Sequence, residues 1–191
     1  MDDTLKQRWN QVLPRLQSEE LQNNKGLGNE IGFYIFDYPP ECELEIRESL
    51  DITLQQLQKS NPGLKVKHVN LFLILCQYLE KRQLLAPALK LQKEKGNSAM
   101  LKALKGPLHE EKVAQYFLET VEPNDTDLLL ISRVGNVYPL LRTHTMLNNF
   151  HPLMKGTPLV MFYPGIYDGQ HLRLFGKLKE DHYYRAFRLV S

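Results

Sequence analysis

What this chain lacks narrows its identity first. It has two cysteines in 191 residues, Cys42 and Cys76. Two are too few for a disulfide framework and have no metal-ligand spacing, so a reducing, cytoplasmic setting is expected. No apolar run reaches the roughly 18 residues a membrane span needs, and no membrane role is expected. The start, Met1-Asp2-Asp3, is polar and acidic, which predicts no cleaved leader. Charge of one sign is not in excess. A formal net charge of +2 is too near neutral to argue by itself for nucleic acid. There is no internal repeat and no low-complexity segment.

Catalytic signatures are also missing. The six histidines, His68, His109, His144, His151, His171 and His182, contain no pair at helical ligand spacing, so no metal site is predicted. A Gly-x-Ser-x-Gly nucleophile elbow is absent. The loop after the first apolar strand is Asp37-Tyr38-Pro39-Pro40. It has no glycine and no Lys-Ser or Lys-Thr pair, and its two prolines remove N–H groups that would hold a phosphate. Gly26-Leu27-Gly28 precedes that strand and so lies on the wrong side of it. No cofactor is therefore expected.

What the chain does have is an alternation of apolar runs and amphipathic stretches. Apolar residues make up 42% and charged ones 24%, which suits one soluble domain spanning 1–191. The strongest run is Leu159-Val-Met-Phe-Tyr163, which reads as a strand buried on both faces. Ile31–Phe36 and Asp127–Ser132 have the same character. Leu64–Val69, interrupted by Lys65 and Lys67, belongs nearer an edge. Helices are predicted over 2–17, with a kink or restart at Pro14, and over 40–60, where Pro40 opens and Asn61-Pro62-Gly63 closes. Further helices are predicted over 71–81, about 108–120 and about 138–148. Pro87, Gly96 and Gly106-Pro107 divide the stretch between the second and third strands into short helices. This alternation means a three-layer α/β domain, a mainly parallel sheet with helices on both faces. A P-loop-NTPase-like topology is compatible with it, without the phosphate-binding loop. Pro164-Gly165-Ile166-Tyr167-Asp168-Gly169 reads as a sharp turn, with Gly165 or Gly169 at positive φ. Beyond it, Leu172–Leu178 and Tyr183–Val190 are spaced for an antiparallel hairpin at the C-terminal edge.

Ligands of open parallel sheets bind beyond the carboxyl ends of the strands. Here those ends carry Asp37, Tyr38, Ser132, Arg133, Tyr163, Tyr167 and Asp168, with Arg142 and His144 following the third strand. These residues also suit helix caps and loop hydrogen bonds. Lys90, Lys93, Lys95, Lys102 and Lys105 form the most basic stretch. It could follow a phosphate backbone, but no interleaved aromatics offer stacking platforms, so a solvated helix pair is the preferred reading. Arg173, Arg185 and Arg188 alternate with apolar residues beside Tyr183 and Tyr184. Arg and aromatics are enriched at protein interfaces, while an inward role beside Asp168 or Asp181 stays open.

Three blocks carry a resemblance. They are Leu128-Leu-Leu-Ile-Ser-Arg-Val-Gly-Asn-Val-Tyr-Pro-Leu-Leu-Arg-Thr-His-Thr-Met-Leu-Asn-Asn149, Pro158-Leu-Val-Met-Phe-Tyr-Pro-Gly-Ile-Tyr-Asp-Gly-Gln-His-Leu-Arg-Leu-Phe-Gly176 and Tyr183-Tyr-Arg-Ala-Phe-Arg188. In them the chain resembles the BrxB family, small proteins encoded in bacterial BREX bacteriophage-exclusion loci. The resemblance implies a part in anti-phage defence beside a methyltransferase, a large ATPase and the alkaline-phosphatase-like protein PglZ. It brings no catalytic residues. The expectation is a non-enzymatic, protein-binding assembly or regulatory subunit, with PglZ the leading partner. A degenerate nucleotide-binding protein and a nucleic-acid-binding component are the alternatives. The interaction candidates are Arg133, Tyr138, Arg142, His144, Tyr167, Asp168, Arg173, Tyr183 and Arg185, with Gly165 and Gly169 as structural turn residues.

Overall fold

In the computed structural model, Pro14 decides how the chain begins. Helix α1 (Asp3–Trp9) is capped by Asp2, whose carboxylate accepts the Leu5 N–H at 2.7 Å. The helix restarts as α2 (Val12–Gln17), which places Pro14 in its first turn, where an N–H has no intrahelical partner to lose. Ser18 then caps the short α3 (Glu19–Gln22). The structure describes residues 1–23, 32–142, 149, 154, 156–179 and 186–190.

Strand β1 (Phe33–Tyr38) is buried throughout and passes through a 3-10 turn, Pro40–Cys42, into α4 (Glu43–Ser60). Next come β2 (Val66–Asn70) and α5 (Leu71–Lys81), which Asn70 caps at the Leu73 N–H. Helix α6 (Leu85–Leu104) is broken at Gly96, where φ is +80. Pro87 does not cut this stretch as expected; it lies in the first turn of α6. After α7 (Glu110–Val121) come β3 (Leu128–Ser132) and β4 (Leu159–Tyr167). Three short strands follow, β5 (Leu172–Leu174), β6 (Leu178–Lys179) and β7 (Phe187–Arg188).

The parallel strands lie in the order β2-β3-β4-β1-β7, with β2 at the edge as its lysines predict. Numbered in chain order among the parallel strands, this is 5-1-4-3-2. Strand periodicity sorts the core into two halves. Phe33, Ile35, Leu129, Ile131, Leu159 and Met161 pack with the buried faces of α5 and α7. Tyr34, Phe36, Leu128, Leu130, Val160 and Phe162 pack with α1, α2 and α4. Helices therefore cover both faces, and no described helix is long and apolar enough to cross a membrane.

Three expectations change. The hairpin between Leu172–Leu178 and Tyr183–Val190 is absent among the described residues. Instead β5 pairs antiparallel with β4 and with β6, and β7 runs parallel to β1 at Tyr34↔Phe187. The chain reverses directly after β5, because Phe175 and Gly176 adopt φ of +57 and +70. Second, β4 does not stop at Tyr163. Pro164 falls at the last pair of the β1–β4 ladder, where a missing N–H costs least, so the strand continues to Tyr167 and turns only at Asp168. Third, no helix begins at Tyr138. A 3-10 turn, Val134–Val137, comes first, and Tyr138 is extended at ψ 138 because Pro139 disfavours a helical residue before it. The rest of the predicted 138–148 helix lies outside the described residues beyond Arg142.

Candidate functional site

The carboxyl end of β1 closes a charged network before it reaches the surface. Asp37 is 7% exposed. One oxygen accepts from Arg8 Nη2 at 2.7 Å, and the other accepts the Tyr167 backbone N–H at 2.9 Å. Arg188 Nη1 lies 3.6 Å from the first oxygen, and Arg188 also donates to the Tyr167 carbonyl. The Tyr167 hydroxyl donates to the carbonyls of Gly169 and Ala186. This network ties α1, β1, β4 and β7 together. A cavity of about 320 Å³ opens beside it, lined by Arg8, Asp37, Tyr38, Pro39, Pro40, Glu41, Gly165, Ile166 and Gly176. The loop where a phosphate cradle would sit thus contributes a carboxylate already engaged on both oxygens and two residues without N–H groups.

A second polar group borders the first. The Tyr38 hydroxyl donates to Glu43 at 2.5 Å, Arg47 Nε donates to Glu43 at 2.7 Å, and Arg47 Nη2 donates to Asn136 at 3.0 Å. Burial, and after it the neighbouring Glu43 carboxylate, pushes the Tyr38 phenol far above its usual range, so it stays a neutral donor. At the ends of β2 and β3, His68 Nε2 lies 2.9 Å from Ser132 Oγ. Loss of hydration lowers the His68 pKa; Asp51 opposes the shift and Arg133 adds to it. Arg133 itself adopts φ +63 as the chain leaves β3. Among the described residues no group of three or more His, Cys, Asp or Glu could hold a metal ion.

The same end of the sheet carries apolar surface. Of the nine large apolar side chains exposed among the described residues, six lie just past strand carboxyl ends or on the β4–β5 extension: Leu44, Phe72, Leu73, Tyr138, Ile166 and Phe175. Tyr138 and Phe175 meet edge to face with ring centroids 6.3 Å apart. Beneath them, a Cβ on Gly135 would fall 2.8 Å from Phe175 Cε1 and 2.9 Å from Pro164 Cγ, so only glycine lets the ring settle there. Gly165 is needed for the same kind of reason. It does not have positive φ, but a Cβ would lie 2.3 Å from the Arg173 carbonyl oxygen of β5. Gly169 does adopt φ +97, as the turn requires. Two of the expected turn positions thus have different physical grounds.

The predicted candidates divide accordingly. Tyr138, Arg173 and the Gly135–Gly165 pair converge on the exposed patch. Asp168 sits beside it, 3.9 Å from Arg173 Nη2, and accepts the N–H groups of Gln170 and His171 at 2.9 and 2.7 Å. Tyr167 is fully buried and structural, and Arg188 lies against Asp37, while Asp181 falls outside the described residues. Arg142 is exposed in a separate cleft. His144, Tyr183 and Arg185 lie outside the described residues. Sequence reasoning missed Arg8 and Arg47, which are single cations on amphipathic helices with no local pattern to mark them. It also missed Phe175, which is exposed and adopts φ +57.

The family described as "BREX protein BrxB" matches residues 67–189. A BREX protein BrxB of Bacillus cereus (strain H3081.97) is 40% identical over 191 residues, covering 98% of each chain. A BREX protein BrxB of Escherichia coli O9:H4 (strain HS) is 37% identical over 190 residues, covering 100% of this chain and 94% of the relative. No solved structure matches significantly. With nearly full-length identity to two such proteins and a family match across its C-terminal two thirds, the chain belongs to the BrxB family of BREX proteins.

Proposed function

We propose that the protein is a non-enzymatic assembly or regulatory subunit of its BREX system, binding a partner protein through the surface formed by Tyr138, Phe175, Ile166 and Arg173. The observation that carries this reading is the concentration of exposed apolar side chains at the carboxyl end of the sheet, with two aromatic rings packed on each other and the exposed Arg173 paired across β4–β5 with the exposed Ile166. Exposed apolar clusters rimmed by polar groups mark binding sites, and buried aromatic and Arg anchors dominate interface energetics. PglZ is the partner that the family resemblance favours. The test is capture of each purified BREX component by the tagged protein at micromolar concentration, with and without Tyr138→Ser. The wild type should retain PglZ. Loss of one aromatic anchor should cost about 2 kcal/mol, roughly thirtyfold in Kd. Failure to retain any component at that concentration would refute the proposal.

A second reading has one observation in its favour, a cavity at the carboxyl end of β1, where open parallel sheets bind their ligands. It makes the protein a nucleotide binder that uses the 320 Å³ cavity beside Arg8 and Tyr38. A nucleotide with Mg²⁺ at 100 times its Kd should then stabilise the fold by about 2.7 kcal/mol. An unchanged melting temperature across nucleotides would exclude it.

A further inference from the structure

A second concave surface lies on the other side of Tyr138. The C-terminal half of α6, the turn after it and residues 139–142 enclose a cleft of about 580 Å³. Leu104, Leu108 and Leu141 are buried in its floor, and Leu101 and Leu140 are half-buried in its walls. Lys102, Lys105 and Arg142 are exposed around it, and among the described residues no carboxylate lines it. Other lysines of this helical layer have acidic neighbours: Lys81 lies 3.7 Å from Glu119, and Lys90 lies 3.9 Å from Glu94. The three rim cations form no ion pair among the described residues. An apolar floor beneath a rim of one charge is selective by sign. Its occupant must bring apolar side chains on one face and carboxylates on the other.

We propose that this cleft is a docking groove for an acidic amphipathic segment of a partner protein. Leucine-like side chains of the segment enter the floor, and its carboxylates meet Lys102, Lys105 and Arg142. The proposal rests on the reading of the protein as a protein-binding subunit and names the chemistry of what it binds. Charge complementarity fixes the sign of the occupant. The lining favours a peptide over a nucleic-acid strand: among the described residues it holds no Phe, Tyr or Trp and its one aromatic ring is His109, whereas five leucines suit an apolar helix face. The groove also adjoins the apolar patch, since Pro139 of the cleft directly follows Tyr138 of the patch. A single partner can therefore span both.

The experiment uses the full-length protein, fluorescently labelled, on an array of peptides of about 18 residues, about five helical turns, tiling the other BREX proteins of the same locus. The bound peptides should be acidic and carry apolar residues at i, i+3 or i+4, and i+7. Affinity for the best of them, measured in solution, should fall at least about tenfold in a Lys102→Glu/Lys105→Glu variant, and again in Arg142→Glu. The melting temperatures of these variants should be unchanged, because the altered side chains are exposed. Binding of only neutral or basic peptides, or of none, overturns the groove. Affinity unchanged by the charge reversals overturns it too. So does tighter binding of a single-stranded oligonucleotide of about 20 nucleotides, lost in the same variants, which would make the face a nucleic-acid surface. Failure of the parent reading is seen separately, as no full-length BREX component retained by the wild-type protein at micromolar concentration.

Discussion

Asp37→Asn tests the link that holds the C-terminal strand to the sheet. The carboxylate is 7% exposed, takes Arg8 Nη2 at 2.7 Å and the Tyr167 N–H at 2.9 Å on separate oxygens, and has Arg188 Nη1 at 3.6 Å. Asparagine keeps the volume and removes the charge. Whichever way its amide turns, either Arg8 or the Tyr167 N–H faces an NH₂ group that cannot accept. Removing one partner of a buried ion pair costs about 3–5 kcal/mol, because the remaining charge stays desolvated. The Arg188 side chain is 40% exposed, so water compensates most of its share. The expected loss is therefore at the lower end, about 3 kcal/mol, or a fall of about 6–12 °C in Tm for a chain of this size. Urea and thermal unfolding measure it. Hydrogen exchange locates it at the Leu189 amide, which donates to the Ile35 carbonyl at 2.9 Å and should lose protection first. Arg8→Met added to Asp37→Asn should restore part of the loss by removing the stranded guanidinium. A loss below about 1 kcal/mol with Leu189 still protected would refute the role given to this carboxylate.

Gly165→Ala should destabilise by about 3 kcal/mol or more, because its Cβ meets a strand carbonyl at 2.3 Å, whereas Gly169→Ala, strained in φ but with open space, should lose only about 1 kcal/mol. Equal losses in chemical unfolding would contradict that distinction. Phe175→Gly removes a side chain from a φ of +57, so strain relief should offset much of the lost packing. Stability should change by less than about 1 kcal/mol while partner capture is lost, and a variant that unfolds would show the ring to be structural instead. The amides of His171 and Gln170 hold the Asp168 carboxyl below its ordinary value of 3.8, so the turn is intact above that pH and opens only as pH falls through the lower folded value. Amide shifts of Gln170 and His171 followed from pH 6 to pH 2 give the midpoint, and a midpoint at or above 3.8 would refute the assignment.

The layered α/β fold is legible in the chain alone because its signals are local. Phe33–Tyr38, Leu128–Ser132 and Leu159–Tyr163 are apolar on both faces, which only a covered parallel sheet accommodates. Pro14, Gly96 and Asn61-Pro62-Gly63 interrupt helices through their own backbone chemistry, and the lysines of β2 mark an edge. The C-terminal pairing was not legible there, since Phe187–Arg188 are only two residues long and their partners, the β1 backbone and the Asp37 carboxylate, lie about 150 positions away in the chain. The candidate site divides the same way. Tyr138 and Arg173 stand out as an aromatic and an arginine at strand ends, but their neighbour Phe175 and the glycine beneath the rings acquire meaning only when β3 and β4 are side by side. Gly165 looks like a turn residue in sequence and is in fact a point of close approach between strands. Sequence determines what each segment can become through short-range sterics and the burial of its own apolar face. Which cation meets which carboxylate, and which apolar side chains are left uncovered, depends on contacts between different elements, from 29 positions apart for Arg8–Asp37 to 130 for Asp37–Tyr167, and only packing decides them.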